Sequence, residues 1–430
     1  MKKIFFCLIA ILSLSHCSTK PAKEQSSQLL KFFKEKNYFK LDNLMSEMKF
    51  EKNNPGLLLY EATIDNVFNR PEESDRLINT LFEKYRGYFN DTITKDLYDM
   101  RFSNAYRLQD YKRACLSDSI IVTDYSHVCD SSEINTRKDD ISLFGNIINV
   151  PKMQVTMPSD SKIPLKRDIA GLLNVPVRLL NDSVDFVFDT GANISVLIES
   201  VAKKYGVRLL AGMARTGTST SKKVEGHMGL LDLRLGNVEI KDAVFLVLPD
   251  SDLTYANGVY IIKGVIGFPI MYALKEFVMT GDKFMTVIQK QENTKERNIA
   301  FDGQNILIRV IAQNDTLPFI FDSGNTTTNL GALFFTAYKQ EILKKCKKEK
   351  VTTAGAGGSE ETMAYILDSL VFFAGNTDYT LKSLRIYSDD LSGYERKYLY
   401  GNFGQDYINK FSEMKINFAS MNIQFSGRIN

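Results

Sequence analysis

The 430-residue sequence predicts a multidomain protein in which an all-α region of helical hairpins precedes an all-β region of two related lobes. Three observations predict this fold class. From residue 26 to about residue 125, apolar residues recur at three- and four-residue spacing, as on amphipathic helices. After residue 150 the pattern changes to short apolar strands separated by Gly and Asn-Asp turns. The strand-rich part repeats one order of motifs twice, which indicates an internal duplication.

The first seventeen residues, MKKIFFCLIAILSLSHC, have the layout of a secretory signal. Two lysines precede an apolar segment that is too short to span a bilayer. The stretch resembles a bacterial lipoprotein signal, so we expect residues 1–17 to be a signal peptide, Cys17 to be lipidated and residues 18–25 to be a polar tether. His16 stands where such signals usually carry a small residue, which keeps ordinary cleavage to a free exported protein as the alternative. Ser18 follows the cysteine, and by the same resemblance this implies an anchor in the outer membrane of a Gram-negative bacterium, facing the periplasm or the surface.

The net charge and the cysteine count give little sign of nucleic-acid binding or of a disulfide-rich fold. The formal net charge of +3 gives no indication of nucleic-acid binding. Beyond the signal the chain has three cysteines, which do not make a disulfide framework. The sequence leaves open whether Cys115 and Cys129 are bridged.

The helical region, residues 26–130, contains short turns at KNYF, NRPEE and LQDYK. These turns recur every thirty-odd residues, the period of a helical-hairpin array, and the region loosely resembles tetratricopeptide repeats. A small irregular helical domain is the alternative. We expect the region to bind a protein partner or to position the chain at the membrane. Residues 131–149 are polar and charged, which predicts a linker.

The duplicated part divides into lobe 1, residues 150–292, and lobe 2, residues 293–430. In lobe 1 the stretch FVFDTGA, residues 186–192, matches FIFDSGN, residues 319–325, in lobe 2. Each is a buried-type strand followed by Asp, a hydroxyl residue and Gly. Further on, GVIGFPIM corresponds to GNFGQDYI at nearly the same distance from the aspartate, and each half then ends in a predicted hairpin.

These paired motifs resemble the aspartic proteases. The single lobes are similar to retropepsins, and their fusion in one chain is similar to the pepsin arrangement, so residues 150–430 are expected to form a bilobal acid-protease double barrel. The resemblance implies an aspartic endopeptidase that acts on a peptide or protein substrate without a metal or an organic cofactor. Asp189 and Asp322 would activate a water, sharing one proton because two adjacent carboxylates cannot both ionise easily.

The same resemblance assigns supporting roles to the residues beside the aspartates. Thr190 and Ser323 would hydrogen-bond across the lobe interface and hold the two loops rigid. Gly191 and Gly324 would let the backbone turn and approach closely.

One residue beside the second aspartate departs from the family pattern. Asn325 replaces the usual small residue, and we expect its amide to alter the hydrogen bonding around Asp322 and to bear on catalytic strength. The glycines of the later motif, Gly267 and Gly404, follow the pattern and would pack behind the active loops.

Two hairpin candidates, residues 215–229 and 354–365, lie at matching places and are rich in small and polar residues. Lids of this composition could close over an extended peptide and exclude water. Two lids resemble the retroviral dimer more than pepsin, whose single flap carries a tyrosine that the first candidate lacks. An exposed surface hairpin is the alternative, especially for the second.

Other hydrolytic mechanisms lack the residues they need. Beyond the signal the chain keeps only His127 and His227, in different regions, with no HExxH motif and no Gly-x-Ser-x-Gly elbow. A pair of turn-capping aspartates is disfavoured because the motif occurs twice in a duplicated frame. The stronger rival is a catalytically weak or inactive lipoprotein that binds a peptide or another ligand on the same fold. A helical-repeat lipoprotein for nutrient capture would explain only the N-terminal part.

Overall fold

The structure, a computed structural model, describes residues 20–48, 53–217, 223–355, 358–388 and 398–429. Cys17 and the predicted signal peptide lie outside these residues. The N-terminal part is a helical domain, with bounds α1 Lys20–Lys34, α2 Tyr38–Glu47, α3 Pro55–Val67, α4 Pro71–Lys84, α5 Asp91–Arg107, α6 Tyr111–Asp124 and α7 Ser131–Gly145. The tether prediction was wrong for residues 20–25, because α1 already begins at Lys20. Pro21 does not oppose this start, since proline is tolerated in the first turn of a helix.

Side-chain caps and left-handed turns define the helix ends of this domain. Asn90 Oδ1 accepts a hydrogen bond from the amide of Ile93 at 3.0 Å, which satisfies one of the free N–H groups at the start of α5. The predicted turns between helices are confirmed, and each contains a residue with positive φ, namely Lys36, Asn69 and Gln109.

The linker prediction was wrong for most of residues 131–149, because this stretch forms α7. Three of its charged residues, Glu133, Arg137 and Asp139, are buried. Arg137 is buried and pairs with Asp118 at 2.8 Å and with Glu133 at 2.7 Å. Buried charges are tolerated when they are paired and hydrogen-bonded, so a polar sequence here encodes a packed helix.

The two lobes are formed by strands and short helices. Lobe 1 contains β1 Gln154–Thr156, β2 Ser161–Pro164, β3 Lys166–Arg167, β4 Leu173–Leu179, β5 Asp182–Phe188, β6 Ser195–Ile198, α8 Glu199–Lys204, β7 Arg208–Gly217, β8 Lys223–Leu235, β9 Val238–Leu248, β10 Thr254–Tyr255, β11 Tyr260–Ile261, β12 Gly264–Ile266, α9 Phe268–Leu274, β13 Glu276–Thr280 and β14 Phe284–Val287. Lobe 2 contains β15 Ile299–Asp302, β16 Asn305–Ala312, β17 Asp315–Phe321, β18 Asn329–Leu330, α10 Ala332–Ala337, α11 Lys339–Lys345, β19 Lys347–Gly355, β20 Gly358–Ala374, β21 Thr377–Ile386, β22 Gly401–Phe403, α12 Gln405–Ile408, β23 Phe411–Asn417 and β24 Asn422–Arg428.

Both lobes use the same strand pairings. In lobe 1, β12 runs parallel to β5 and antiparallel to β6, and β6 runs parallel to β9. In lobe 2, β22 runs parallel to β17 and antiparallel to β18, and β18 runs parallel to β21. The pairs β4–β8 and β16–β20 also correspond. This repetition supports the internal duplication that the sequence predicts.

A third sheet joins the lobes. Its strand order is β2-β14-β13-β23-β24, so the final hairpins of both lobes lie side by side. Strands β13 and β23 pair antiparallel across the junction, with Phe277 opposite Ile416, and both side chains are fully buried. The backbone hydrogen bonds and apolar burial of this sheet fix one lobe against the other.

The helical domain also contacts both lobes. Lys36 Nζ lies 3.0 Å from Asp302, to which the Tyr38 hydroxyl also donates at 2.8 Å. Asn69 donates to the carbonyl of Phe418 in lobe 2 at 2.9 Å and accepts from the hydroxyl of Tyr272 in lobe 1 at 2.8 Å.

Three further observations concern the described residues. Cys115, Cys129 and Cys346 are free thiols, so the bridge that the sequence left open is not formed. Within the described ranges, no helix combines the length and apolar character needed to cross a bilayer. Among the same residues, no group of three or more His, Cys, Asp or Glu side chains is arranged to hold a metal ion.

Candidate active site

Asp189 and Asp322 occupy equivalent positions, each directly after a buried strand. The Asp189 amide donates to the carbonyl of Ile266 at 3.1 Å, and the Asp322 amide donates to the carbonyl of Phe403 at 3.0 Å. These carbonyls end β12 and β22, the strands that run beside the aspartate-bearing strands. The same pairing of strands in the two lobes therefore fixes both aspartates in the same way.

The two carboxyl groups lie close together between the lobes, where each affects the ionisation of the other. Burial, followed by repulsion from the neighbouring Asp322, raises the pKa of Asp189 to about 7. Amides of the loops oppose this increase in pKa in part. The Gly191 amide donates to Asp189 Oδ1 at 2.8 Å, and the Gly324 amide donates to Asp322 Oδ1 at 3.0 Å. A pair with these properties can hold one proton near neutral pH.

Each loop glycine lies against the carboxyl group of the opposite lobe. A Cβ atom on Gly191 would come within 2.6 Å of Asp322 Oδ1, and one on Gly324 would come within 2.4 Å of Asp189 Oδ1. The carboxyl groups approach each other only because neither loop carries a side chain here.

Thr190 and Ser323 form a reciprocal set of hydrogen bonds across the lobe interface. The Ser323 amide donates to Thr190 Oγ1 at 2.8 Å, and the Thr190 amide donates to Ser323 Oγ at 3.0 Å. The Thr190 hydroxyl donates in turn to the carbonyl of Phe321 at 3.0 Å, and the Ser323 hydroxyl to that of Phe188 at 3.2 Å. Both side chains are buried. The two loops are therefore held together by hydrogen bonds that water cannot easily replace.

Replacing Thr190 with Val should lower the free energy of unfolding by about 2 kcal/mol, because the amide of Ser323 and the carbonyl of Phe321 would lose a buried partner. Thermal or urea unfolding of the purified protein measures this loss. The matched control is Thr190→Ser, which keeps the hydroxyl and should stay close to the unsubstituted protein. Equal stability of the Val and Ser variants would contradict the assigned hydrogen bonds.

Gly267 and Gly404 lie behind the active loops, at the places that the resemblance implies. A Cβ atom on Gly267 would come within 2.7 Å of the carbonyl oxygen of Ala192, and one on Gly404 within 2.8 Å of that of Asn325. Close backbone packing at both places therefore requires glycine.

Two hydroxyl residues behind the loops were missed by sequence reasoning. Ser195 Oγ accepts from the Gly267 amide, and Thr328 Oγ1 accepts from the Gly404 amide, both at 3.0 Å. Both side chains are buried. Each hydroxyl lies six positions after the aspartate of its loop, and this repeated spacing was the signal that could have identified them.

The expectation that Asn325 alters the surroundings of Asp322 was wrong in its geometry. Asn325 Oδ1 accepts from the amide of Thr327 at 3.3 Å, so its side chain closes its own turn. Its carbonyl accepts from the Gln405 amide at 2.8 Å, just as the carbonyl of Ala192 accepts from the Phe268 amide at 2.8 Å. The backbone of the loop is therefore the same in both lobes.

The two aspartate loops are nevertheless held by different side chains from outside the loops. In lobe 2 the buried side chain of Gln405 donates to the carbonyl of Ser323 at 2.6 Å. In lobe 1 the support comes from the helical domain, where the buried Tyr106 hydroxyl donates to the carbonyl of Asn193 at 2.7 Å. The Tyr106 ring also stacks on Phe268, with centroids 6.0 Å apart. The sequence had no signal for this contact, because the two segments are distant in the chain.

The predicted lid hairpins are antiparallel strand pairs in both lobes. We call β7–β8 the first hairpin and β19–β20 the second hairpin. Gly217 pairs with Lys223 in the first, and Gly355 pairs with Gly358 in the second. Residues 218–222 and 356–357, at the tips, lie outside the described residues.

Comparison with known proteins agrees with this geometry for lobe 1. A model of the aspartyl protease family matches residues 175–270. Residues 175–270 are therefore similar to aspartyl protease domains. The match includes the Asp189 loop, the first hairpin and Gly267, while lobe 2 is related to this domain through the repeated strand pairings. No curated protein matches the chain.

Proposed function

We propose that the protein is an aspartic endopeptidase that hydrolyses peptide bonds with a water activated by Asp189 and Asp322. The observation that supports this most is the close approach of the two carboxyl groups, which equivalent loops hold in a partly buried site. Residues 150–430 would then form the acid-protease double barrel, with the cleft between the lobes.

The chemistry follows from one shared proton. The ionised carboxyl takes a proton from the water as its oxygen attacks the peptide carbonyl carbon, while the protonated carboxyl donates to the carbonyl oxygen. The tetrahedral intermediate then breaks its C–N bond. The leaving nitrogen takes a proton from the pair, and a hydroxyl of the intermediate returns one to the pair as the carboxylic acid product forms, so the shared proton is restored. The two groups titrate together, so either carboxyl can serve as the base in this scheme. The first and second hairpins would close over the substrate and exclude water.

Incubation of the purified protein with a denatured protein mixture from pH 4 to 7, followed by mass spectrometry of the products, tests the proposal. We expect internal peptide bonds to be cut, and a statine-type transition-state mimic to block the cutting. A folded protein that cuts nothing across this range, yet retains peptides, would instead support the binding module on the same fold.

We further propose that the chain is an exported lipoprotein anchored through Cys17, in the outer membrane of a Gram-negative bacterium, where it faces the periplasm or the surface. The support is the order of charged, apolar and cysteine residues at the N-terminus. The helical domain, as a tetratricopeptide-type array, would position the protease or bind a protein partner.

Cys17→Ser should abolish incorporation of a labelled fatty acid and move the protein from the membrane to the soluble fraction, because the thiol that carries the lipid is lost. Metabolic labelling in a bacterial host followed by fractionation measures both effects. The matched control is Cys7→Ser, which alters a cysteine inside the predicted apolar segment and should leave labelling intact. Labelling that persists in Cys17→Ser would contradict the assignment.

A further inference from the structure

A buried carboxylate of the helical domain contacts both strands of the first hairpin. Asp139 lies on α7 and is only 6% exposed. Its carboxylate accepts from Arg215 Nε on β7 at 2.9 Å and also pairs with Lys223 Nζ on β8. Gly217 is paired with Lys223 in the hairpin, so these two cations lie on either side of the tip. One side chain from outside the lobe therefore ties the two strands together directly below the tip.

Two more side chains of the helical domain hold the same hairpin. Ser142 Oγ and Asn146 Nδ2 both donate to the carbonyl of Met213 on β7, each at 3.1 Å. The register of β7 with β8 shifts between Leu209 and Met213. At this irregularity Gly212 has a φ of 90°, and a Cβ atom there would come within 2.3 Å of Asn146 Oδ1. Strand β7 is therefore shaped to fit the end of α7.

The second hairpin receives its support from its own lobe. Arg385 on β21 donates to the carbonyl of Thr352 on β19 at 3.1 Å, and Lys350 pairs with Glu361 across the hairpin at 2.5 Å. The two hairpins thus occupy equivalent places in the duplicated fold but are held by different parts of the chain.

We propose that Asp139 is a positioning residue, through which the helical domain holds the two strands of the first hairpin in place. This inference rests on the proposed function, in which that hairpin closes over a peptide. Removing the Asp139 charge breaks the ion pairs to both strands, because Arg215 and Lys223 are half-exposed and can return to water. Only the hydrogen bonds from Ser142 and Asn146 to Met213 on β7 then remain. A loosened lid would bind substrate less tightly while the aspartates remain in place.

Hydrogen–deuterium exchange tests the positioning role without any substrate. Asp139→Asn should accelerate exchange in peptides from β7 and β8 by about tenfold, the factor that corresponds to losing one charge-assisted hydrogen bond. The matched control is Glu225→Gln, which removes the other carboxylate near Arg215, 3.7 Å away within the hairpin, and should leave exchange near the unsubstituted level. Exchange in α3 to α6 reports on whether the helical domain remains folded. If the helical domain of Asp139→Asn is unfolded, the double variant Arg215→Met with Lys223→Met takes its place, because it removes the same ion pairs from the hairpin side.

Kinetics separates this inference from the proposed function. If peptide cleavage is found, Asp139→Asn should raise KM several-fold with a smaller change in kcat, and Asp139→Glu should restore part of the loss. Faster hairpin exchange in a protein that cleaves nothing would support the link to α7 and refute the protease. Cleavage with unchanged exchange and unchanged KM in Asp139→Asn would overturn the role of Asp139 and leave the protease standing.

Discussion

Asp189→Asn is expected to reduce peptide hydrolysis by about 10²- to 10⁴-fold, the range that a positioned general acid or base contributes. Asn has nearly the same shape as Asp and can keep the hydrogen bond from the Gly191 amide, but it cannot take a proton from water. Asp322→Asn should have an effect of the same size, because the two carboxyl groups share one proton. The measurement is the initial rate of cleavage of a peptide identified from the digestion of the denatured mixture.

Asp185→Asn is the matched control for this loss of activity. Asp185 lies on β5, the strand that leads into the Asp189 loop, but it is half-exposed and pairs with Lys166 at the surface. Its replacement should leave the rate close to that of the unsubstituted protein. Full activity in a folded Asp189→Asn protein would contradict the proposed mechanism.

The same Asp189→Asn change should stabilise the protein, and the gain should grow as pH rises from about 4 to about 7. The folded protein has a pKa of about 7 at Asp189, whereas the unfolded chain has the ordinary value of 3.8. Between these values the folded state binds more protons than the unfolded state, so the free energy of unfolding falls as pH rises. Above pH 7 the variant should exceed the unsubstituted protein in free energy of unfolding by about 2 to 4 kcal/mol. This range already allows for the partial exposure of the carboxyl to solvent.

Thermal unfolding of both proteins at a series of pH values measures this gain. Asp182→Asn provides a control of opposite sign. Hydrogen bonds from Lys204 and Tyr205 lower the pKa of Asp182, so this carboxylate stabilises the folded state above its ordinary pKa and loses that effect as pH falls. Asp182→Asn should therefore be less stable than the unsubstituted protein at neutral pH, and the difference should close in acid. A constant difference between Asp189→Asn and the unsubstituted protein from pH 4 to 8 would contradict the assigned environment of Asp189.

The duplicated motifs were readable in the sequence because each uses a short local pattern. A run of buried-type apolar residues before Asp189, and another before Asp322, predicts a strand that ends in a fixed acidic loop. Local patterns were less informative where the charge was buried. The stretch that forms α7 is as polar as a linker, and it packs because Arg137 finds its carboxylate partners on its own helix and on α6.

The supports of the active loops show a second limit of sequence reading. Ser195 and Thr328 could have been found from their equal distance to the two aspartates. Tyr106 and Asp139 could not, since each acts on a segment many positions away in another domain, and nothing in its own neighbourhood in the sequence distinguishes it from an ordinary helix residue.

By itself, the sequence determined the order of a helical part and two related strand-rich halves, and it identified the residues of each aspartate loop. The reason is that helix periodicity, strand alternation and loop glycines are encoded within a few neighbouring residues. Only the tertiary structure decided that the two carboxyl groups lie close together, that Thr190 and Ser323 exchange hydrogen bonds, and that α7 forms ion pairs with the first hairpin. Those contacts depend on how distant segments meet, and their energies come from burial and charge pairing that exist only once the chain has folded.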